Sequence, residues 1–200
     1  VARSAVFGTA LMDEFFPVTV GGDRAFANGV LKALVARGDV ERAFIAAHTT
    51  GFEALEREIA GQDWFLLERE SGASRADMER FAALYAGARS AVFVWSMGVT
   101  QHRFGVDNVS AILNLALARG MVGRPKTGLM PIRGHSGVQG AAECGGVPSL
   151  LPGGESLDDV AARARVEAVF GFPVPGAPGM MTAAMLEAAH GGALDVLYLL

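Results

Sequence analysis

The chain has a single cysteine, Cys144, among 200 residues. No intrachain disulfide can form, and no cysteine set for zinc or an iron–sulfur cluster can be built from this chain. With no histidine nearby in sequence to activate a thiolate, Cys144 is expected to be buried and inert. Lysine is almost missing: Lys32 and Lys126 are the only two, and a net charge of −4 gives no electrostatic basis for nucleic-acid binding. No apolar run reaches membrane-spanning length, and VARSAVFGTA at the amino end lacks a basic n-region and a long apolar core. The reading is therefore cytoplasmic, with no membrane span. Four histidines, His48, His102, His135 and His190, form no HExxH or comparable ligand spacing, so no protein-only metal site is expected. GxSxG and GxGxxG are absent. Gly120 to Thr127 looks superficially like a P-loop, but its glycines and Lys126-Thr127 are misspaced and Pro125 interrupts it.

What remains is 51% apolar with 26 glycines, and helical and strand patterns alternate, which places the chain in the α/β class. Ser4–Gly8 reads as a short strand and 11–20 as irregular. Apolar periodicity then predicts helices over about 25–37, ended by Gly38, over 40–47, and over 52–59 with Thr50 as cap. Asp23 is either an N-cap or part of a ligand loop, and His48 fits a helix C-terminus. Trp64, Phe65 and Leu66 read as core residues of a connection. Ser74 to Asp77 resembles a capping box before a helix over 78–88. Beyond Gly140, glycine and proline make a loose loop. Helices are expected from Ser156 or Asp158 to Phe170 and from 180 to 190, then a strand over 194–200. The absence of an initiator methionine and the bare apolar end, LDVLYLL, suggest an excerpt of a longer protein.

The stretch from Ala91 to Gly140 carries the chemistry. Ala91–Trp95 has the pattern of a strand buried on both faces of a parallel sheet. A loop from Ser96 to Val106 holds Gly98, Thr100, Gln101 and His102. A helix follows, capped by Asp107 or Asn108, with Val109, Ile112, Leu113, Ala116 and Leu117 on its apolar face and Gly120 at its end. A second polar, glycine-rich loop runs from Arg133 to Gly140. Two such loops in one βα region suggest a ligand gripped at the carboxyl end of a sheet. Glycine admits close backbone approach, and backbone N–H groups bind anions without adding charge. Arg133 could instead serve only a salt bridge.

Trp95-Ser-Met-Gly-Val-Thr-Gln-His, Gly105-Val-Asp-Asn-Val, Asn114-Leu-Ala-Leu, Gly120-Met-Val-Gly-Arg-Pro and Pro131-Ile-Arg-Gly-His-Ser-Gly-Val-Gln-Gly closely resemble the molybdopterin oxidoreductases. The resemblance is nearest to formate dehydrogenase catalytic subunits and their FdhA-like alpha-subunit relatives. It is densest over 91–140 and weaker through Gly21-Gly-Asp and His48-Thr-Thr-Gly-Phe. It implies the interleaved, formate dehydrogenase/DMSO reductase-like fold, with a Rossmann-like parallel sheet flanked by helices. It also implies molybdenum or tungsten held by two molybdopterin guanine dinucleotides. The matching positions put Gly22, Asp23, Ser96, Met97, Gly98, Gln101 and His102 against a dinucleotide. Gly134, His135 and Gln139 follow in the second cofactor loop, and Arg133 beside the metal would orient a small anionic substrate such as formate. Residues 1–135 would then be the later part of a pterin-dinucleotide-binding domain, and 136–200 the start of the return into its neighbour.

Two departures qualify the likeness. The usual Gln-Asn-Asn after the Arg-Gly pair is here His135-Ser136-Gly137. The metal-ligating cysteine or selenocysteine and the 4Fe-4S cysteines have no counterpart; in the family they precede this region, and Cys144 matches no ligand position. The parent is thus read as an iron–sulfur molybdenum oxidoreductase with an electron-transfer subunit or redox partner, this chain being an internal fragment without metal ligands. The alternative is a non-catalytic α/β relative that has lost the cofactor. A nicotinamide-binding protein ranks third.

Overall fold

The computed structural model describes residues 12–198, and the candidate strand Ser4–Gly8 lies outside them. The chain divides between Ile132 and Arg133 into two compact units. The first is organised around α1 (Asp23–Arg37). Its residues Ala25, Ala27, Val30, Leu31, Ala33 and Leu34 are all buried, and α3 (Phe52–Gly61), α4 (Trp64–Ser71), α5 (Arg75–Gly87) and α7 (Gly105–Ala118) pack around it. The helix ends as its sequence predicts: Gly38 takes φ 74°, and its N–H returns to the carbonyls of Leu34 and Val35. Gly29 is fixed by packing, because a Cβ there would lie 2.0 Å from Met78 Sδ. Asp23 is the first helical residue rather than the cap, which is Gly22. Its carboxylate therefore sits at the positive end of the helix.

The α2 helix (Arg42–His48) ends on His48, as expected. Gly51, not Thr50, takes the N-cap of α3 with φ 77°. The expected connection at Trp64–Leu66 is the first turn of α4. Asp63 accepts a hydrogen bond from Phe65 N–H and starts it, so Leu67 and Ser71 turn inward while Phe65 and Leu66 are exposed. The capping box of α5 forms. Ser74 Oγ accepts from Asp77 N–H at 3.1 Å and donates to the Asp77 carboxylate at 2.8 Å.

Beyond α5 lie β1 (Val92–Trp95), the single-turn α6 (Met97–Thr100), α7 and β2 (Gly128–Pro131), the last not foreseen. The two strands pair in parallel, Val92 against Gly128 through Trp95 against Pro131. The sheet is thus parallel but, among the described residues, only two strands wide. Burial of β1 on both faces is not found. Ala91 and Phe93 pack on the core, Phe93 edge-on to Tyr85, whereas Val92 and Val94 are about half exposed. Among the described residues, helices cover only the face that carries Ala91 and Phe93. Of the expected α7 face, Val109, Ile112, Leu113, Ala116 and Leu117, Ala116 is buried and the other four are half-buried; the buried positions with it are Asn108, Ala111, Leu115 and Ala118. Three alanines and Leu115 make up the apolar part of this buried stripe.

The second unit contains α8 (Val138–Glu143), α9 (Val160–Phe170) and α10 (Thr182–His190). Leu151, Leu157 and Ala162, with Val166 and Val174 against them, form its small core. Asp159 caps α9, accepting from Ala161 and Ala162 N–H. The expected strand over 194–200 is not present in its described part, 194–198. A strand exists only with a partner, and this unit offers one isolated bridge, Leu150 to Ser156.

Candidate functional site

In the first unit the site is built where β1 ends. Trp95 accepts from Ile132 N–H at 2.7 Å, and Ser96 Oγ donates to the Ile132 carbonyl at 2.9 Å. The hydroxyl of Ser96 thus clips the carboxyl ends of the two strands together. From that clip the chain makes α6, and Gly105 then lets α7 start against it. A Cβ on Gly105 would stand 2.1 Å from the Thr100 carbonyl oxygen. Met97 and Gln101 are exposed, Gln101 Nε2 lying 3.5 Å from Met97 Sδ. Gly98 faces open space, with no atom within 4 Å of a built Cβ. Glycine at 98 is therefore not required by packing.

His102 and Asn108 form the inner part of this loop. Asn108 is only 1% exposed and lies inside α7, so it is not the cap; Phe104 holds that position and supplies no side-chain cap. Asn108 Nδ2 donates to the Val99 carbonyl at 2.9 Å and lies 2.5 Å from His102 Nε2, while Phe104 N–H points at His102 Nδ1 from 3.2 Å. Asn108 Oδ1 is buried without a hydrogen-bond partner among the described residues. An orphaned buried acceptor costs about 1–3 kcal/mol.

The start of α1 joins this loop through Arg24, a residue the sequence did not single out. Its guanidinium lies 3.6 Å from Asp107, 4.0 Å from Glu70 and 5.2 Å from the Phe104 ring centroid. These groups are about half exposed, so each ion pair is worth about 0–1 kcal/mol. Together they tie the Gly22-Asp23 segment to the loop after β1. Gly22 itself is buried, and a Cβ would meet the Glu70 carbonyl at 2.5 Å and Ser71 Cα at 2.8 Å. Packing alone accounts for its lack of a side chain.

The second loop opens the second unit. Arg133, Gly134, His135 and Gln139 are all exposed. The Arg133 guanidinium makes no hydrogen bond or ion pair among the described residues. Gln139 reaches Glu143 at 3.4 Å. Cys144 is exposed, contrary to the expected burial. It ends α8, a helix with no buried residue, at the rim of an apolar hollow of about 450 Å³ lined by Val147, Pro148, Leu151 and Phe170. Among the described residues no group of three or more His, Cys, Asp or Glu could hold a metal, and no helix is long and apolar enough to cross a membrane.

Proteins of known sequence and structure resemble this chain. It is 36% identical over 190 residues to Protein YdeP of Shigella flexneri, matching 90% of this chain and 24% of that protein. It is 34% identical over 187 residues to the Bacillus subtilis protein named "Putative formate dehydrogenase YrhE", matching 94% of this chain and 19% of that one. The chain therefore spans about a fifth to a quarter of these relatives' length. No family model matches it. Acetylene hydratase from Pelobacter acetylenicus superposes with a TM-score of 0.55 at 16% identity, over 58% of this chain and 16% of that one. At that identity the likeness speaks for the fold.

Proposed function

We propose that the chain, which is similar over at least nine-tenths of its length to segments of Protein YdeP and of a putative formate dehydrogenase, is the cofactor-holding, substrate-positioning part of a formate dehydrogenase-like molybdopterin oxidoreductase. The observation that carries this reading is topological. Two adjacent parallel strands, β1 and β2, run their carboxyl ends into the two loops rich in polar side chains and glycine. The carboxyl end of a parallel sheet is where α/β proteins receive ligands.

The residues present fit a bis-pterin guanine dinucleotide carrying molybdenum or tungsten. Gly98 leaves open space beside the exposed Met97 and Gln101. In the first unit Ser96, Met97, Gly98, Gln101 and His102, with Gly22 and Asp23, would hold a dinucleotide; in the second unit, taken by itself, Gly134, His135 and Gln139 are the candidates for cofactor contact. When bound, the metal–pterin group supplies the two-electron acceptor; the chain supplies orientation and electrostatics. Arg133, with no ion pair among the described residues, would present a permanently protonated fork whose two parallel N–H groups match a carboxylate. That suits formate or another small anion. The metal ligand and any 4Fe-4S cluster belong to other parts of the parent protein, as does its redox partner.

The test is metal and pterin analysis of the purified full-length protein. Stoichiometric molybdenum or tungsten with pterin supports the reading, and a preparation free of both sinks it. In the loaded protein, Arg133→Ala should lower turnover by on the order of 10²-fold, the loss typical of one preorganised donor, while pterin content is kept. Equal loss of both would make Arg133 a structural residue.

A further inference from the structure

We propose that a hollow between α1, α4 and α5 of the first unit binds a phosphoryl group. It encloses about 240 Å³ and is lined by Lys32 and Arg37 of α1, Trp64 of α4, and Arg75 and Glu79 of α5. Three cations thus meet in a chain whose net charge is −4 and which has only two lysines. Glu79 is the one anion among the described lining residues, and none of the residues assigned above to cofactor or substrate lies there. What each cation already holds decides what it has left. Asp39 accepts from Arg37 Nε–H at 2.6 Å, and Glu79 accepts from Arg75 Nε–H at 2.7 Å. The terminal nitrogens of both guanidinium groups make no hydrogen bond among the described residues. Lys32 donates to the Ala60 carbonyl at 2.7 Å and to the Gln62 carbonyl, which leaves one ammonium hydrogen. Trp64 holds two of the cations without neutralising them. Lys32 Nζ lies 5.5 Å and the Arg75 guanidinium 4.8 Å from its ring centroid.

The hollow therefore has N–H donors in excess. One guanidinium fork satisfies a carboxylate. Two forks and an ammonium call for more oxygens and more charge, and a phosphoryl group brings three acceptor oxygens and a charge of about −1.5 to −2 at pH 7. The volume sets the size. Pockets for drug-sized ligands run from about 300 to 1,000 Å³, so this smaller one takes the phosphoryl group rather than a whole nucleotide. Its source is inorganic phosphate or the phosphate of a small monoester whose remainder stays outside.

The experiment titrates full-length protein with inorganic phosphate and, separately, with AMP, at fixed ionic strength in chloride, and reads heat. A phosphate site with a Kd of about 1 mM or tighter is expected, and Arg37→Gln and Arg75→Gln should each weaken it at least about tenfold. Arg57→Gln, at an exposed arginine of α3 outside the hollow, should leave it unchanged. A weaker wild-type Kd overturns the proposal. So does a loss smaller than about tenfold in both variants, the result expected if phosphate sat at Arg133 instead. Where Arg75→Gln does not fold, the half-exposed Arg37 decides by the same limit. Affinities for the two ligands within about fivefold of each other support inorganic phosphate as the source. Tighter binding of AMP, lost in the same variants, supports a monoester. An acidic peptide that binds at these arginines and that phosphate does not displace overturns the proposal and makes the hollow a protein-docking site.

Discussion

Three glycines of the candidate site separate packing from ligand contact at the scale of single residues. Gly22→Ala drives a Cβ against backbone atoms of Glu70 and Ser71, and Gly105→Ala drives one against the Thr100 carbonyl. Each should lower stability by about 1–3 kcal/mol in urea unfolding, the usual cost of overpacking. Gly98→Ala meets nothing within 4 Å, so its effect on stability should stay within about 0.5 kcal/mol. A clear loss of pterin from the Gly98→Ala full-length protein, with stability unchanged, would mark position 98 as ligand-facing; retention would show that its open space lies away from the cofactor.

Elements are joined by hydrogen bonds whose state depends on pH. Tyr85 of α5 donates its hydroxyl to the Leu115 carbonyl of α7 at 2.9 Å. Burial pushes its phenol pKa up, with the nearby Arg119 and Arg124 charges opposing more weakly. A folded pKa above the unfolded one means a contribution fully present below about pH 10 and lost as pH rises through the folded value. Tyr85→Phe should cost about 1 kcal/mol at neutral pH and flatten the alkaline part of the stability curve. The cap of α9 has the opposite sign. Backbone N–H groups of Ala162 and Ala161 hold the Asp159 carboxyl below the usual carboxylate range. Its contribution is present above the unfolded pKa and lost as pH falls through the folded one. Acid should therefore release the first turn of α9, seen as faster amide exchange at Ala161 and Ala162 that Asp159→Ala reproduces at neutral pH.

For the molecule as a whole, the parallel pair β1–β2 is a small sheet, two strands wide among the described residues. Two strands are marginal in water, and Val92, Val94 and Met130 are about half exposed. The described residues contain no metal-ligand cluster. The isolated 200-residue chain should accordingly reduce no artificial electron acceptor with formate, whereas the loaded full-length protein should do so; dye reduction by the isolated chain would contradict the division of labour proposed here.

Local chemistry was enough for much of this fold. The Ser74 box, the Gly38 terminus, the end of α2 at His48 and the strand at Val92–Trp95 were legible because caps, left-handed glycines and apolar period act within a few residues. So was the kinship, carried by ordered motifs from Trp95 to Gly140. What the sequence could not decide depends on partners far along the chain. Val92 and Val94 look like interior residues, but burial needs a covering layer. Asn108 looks like a cap, yet the start of α7 at Gly105, set by contact with Thr100, moved it one turn inside and beneath the loop. Arg24 carries no motif at all and gains meaning only where Asp107 and Phe104 meet it. Periodicity names the face a residue can take; only tertiary packing supplies what that face touches.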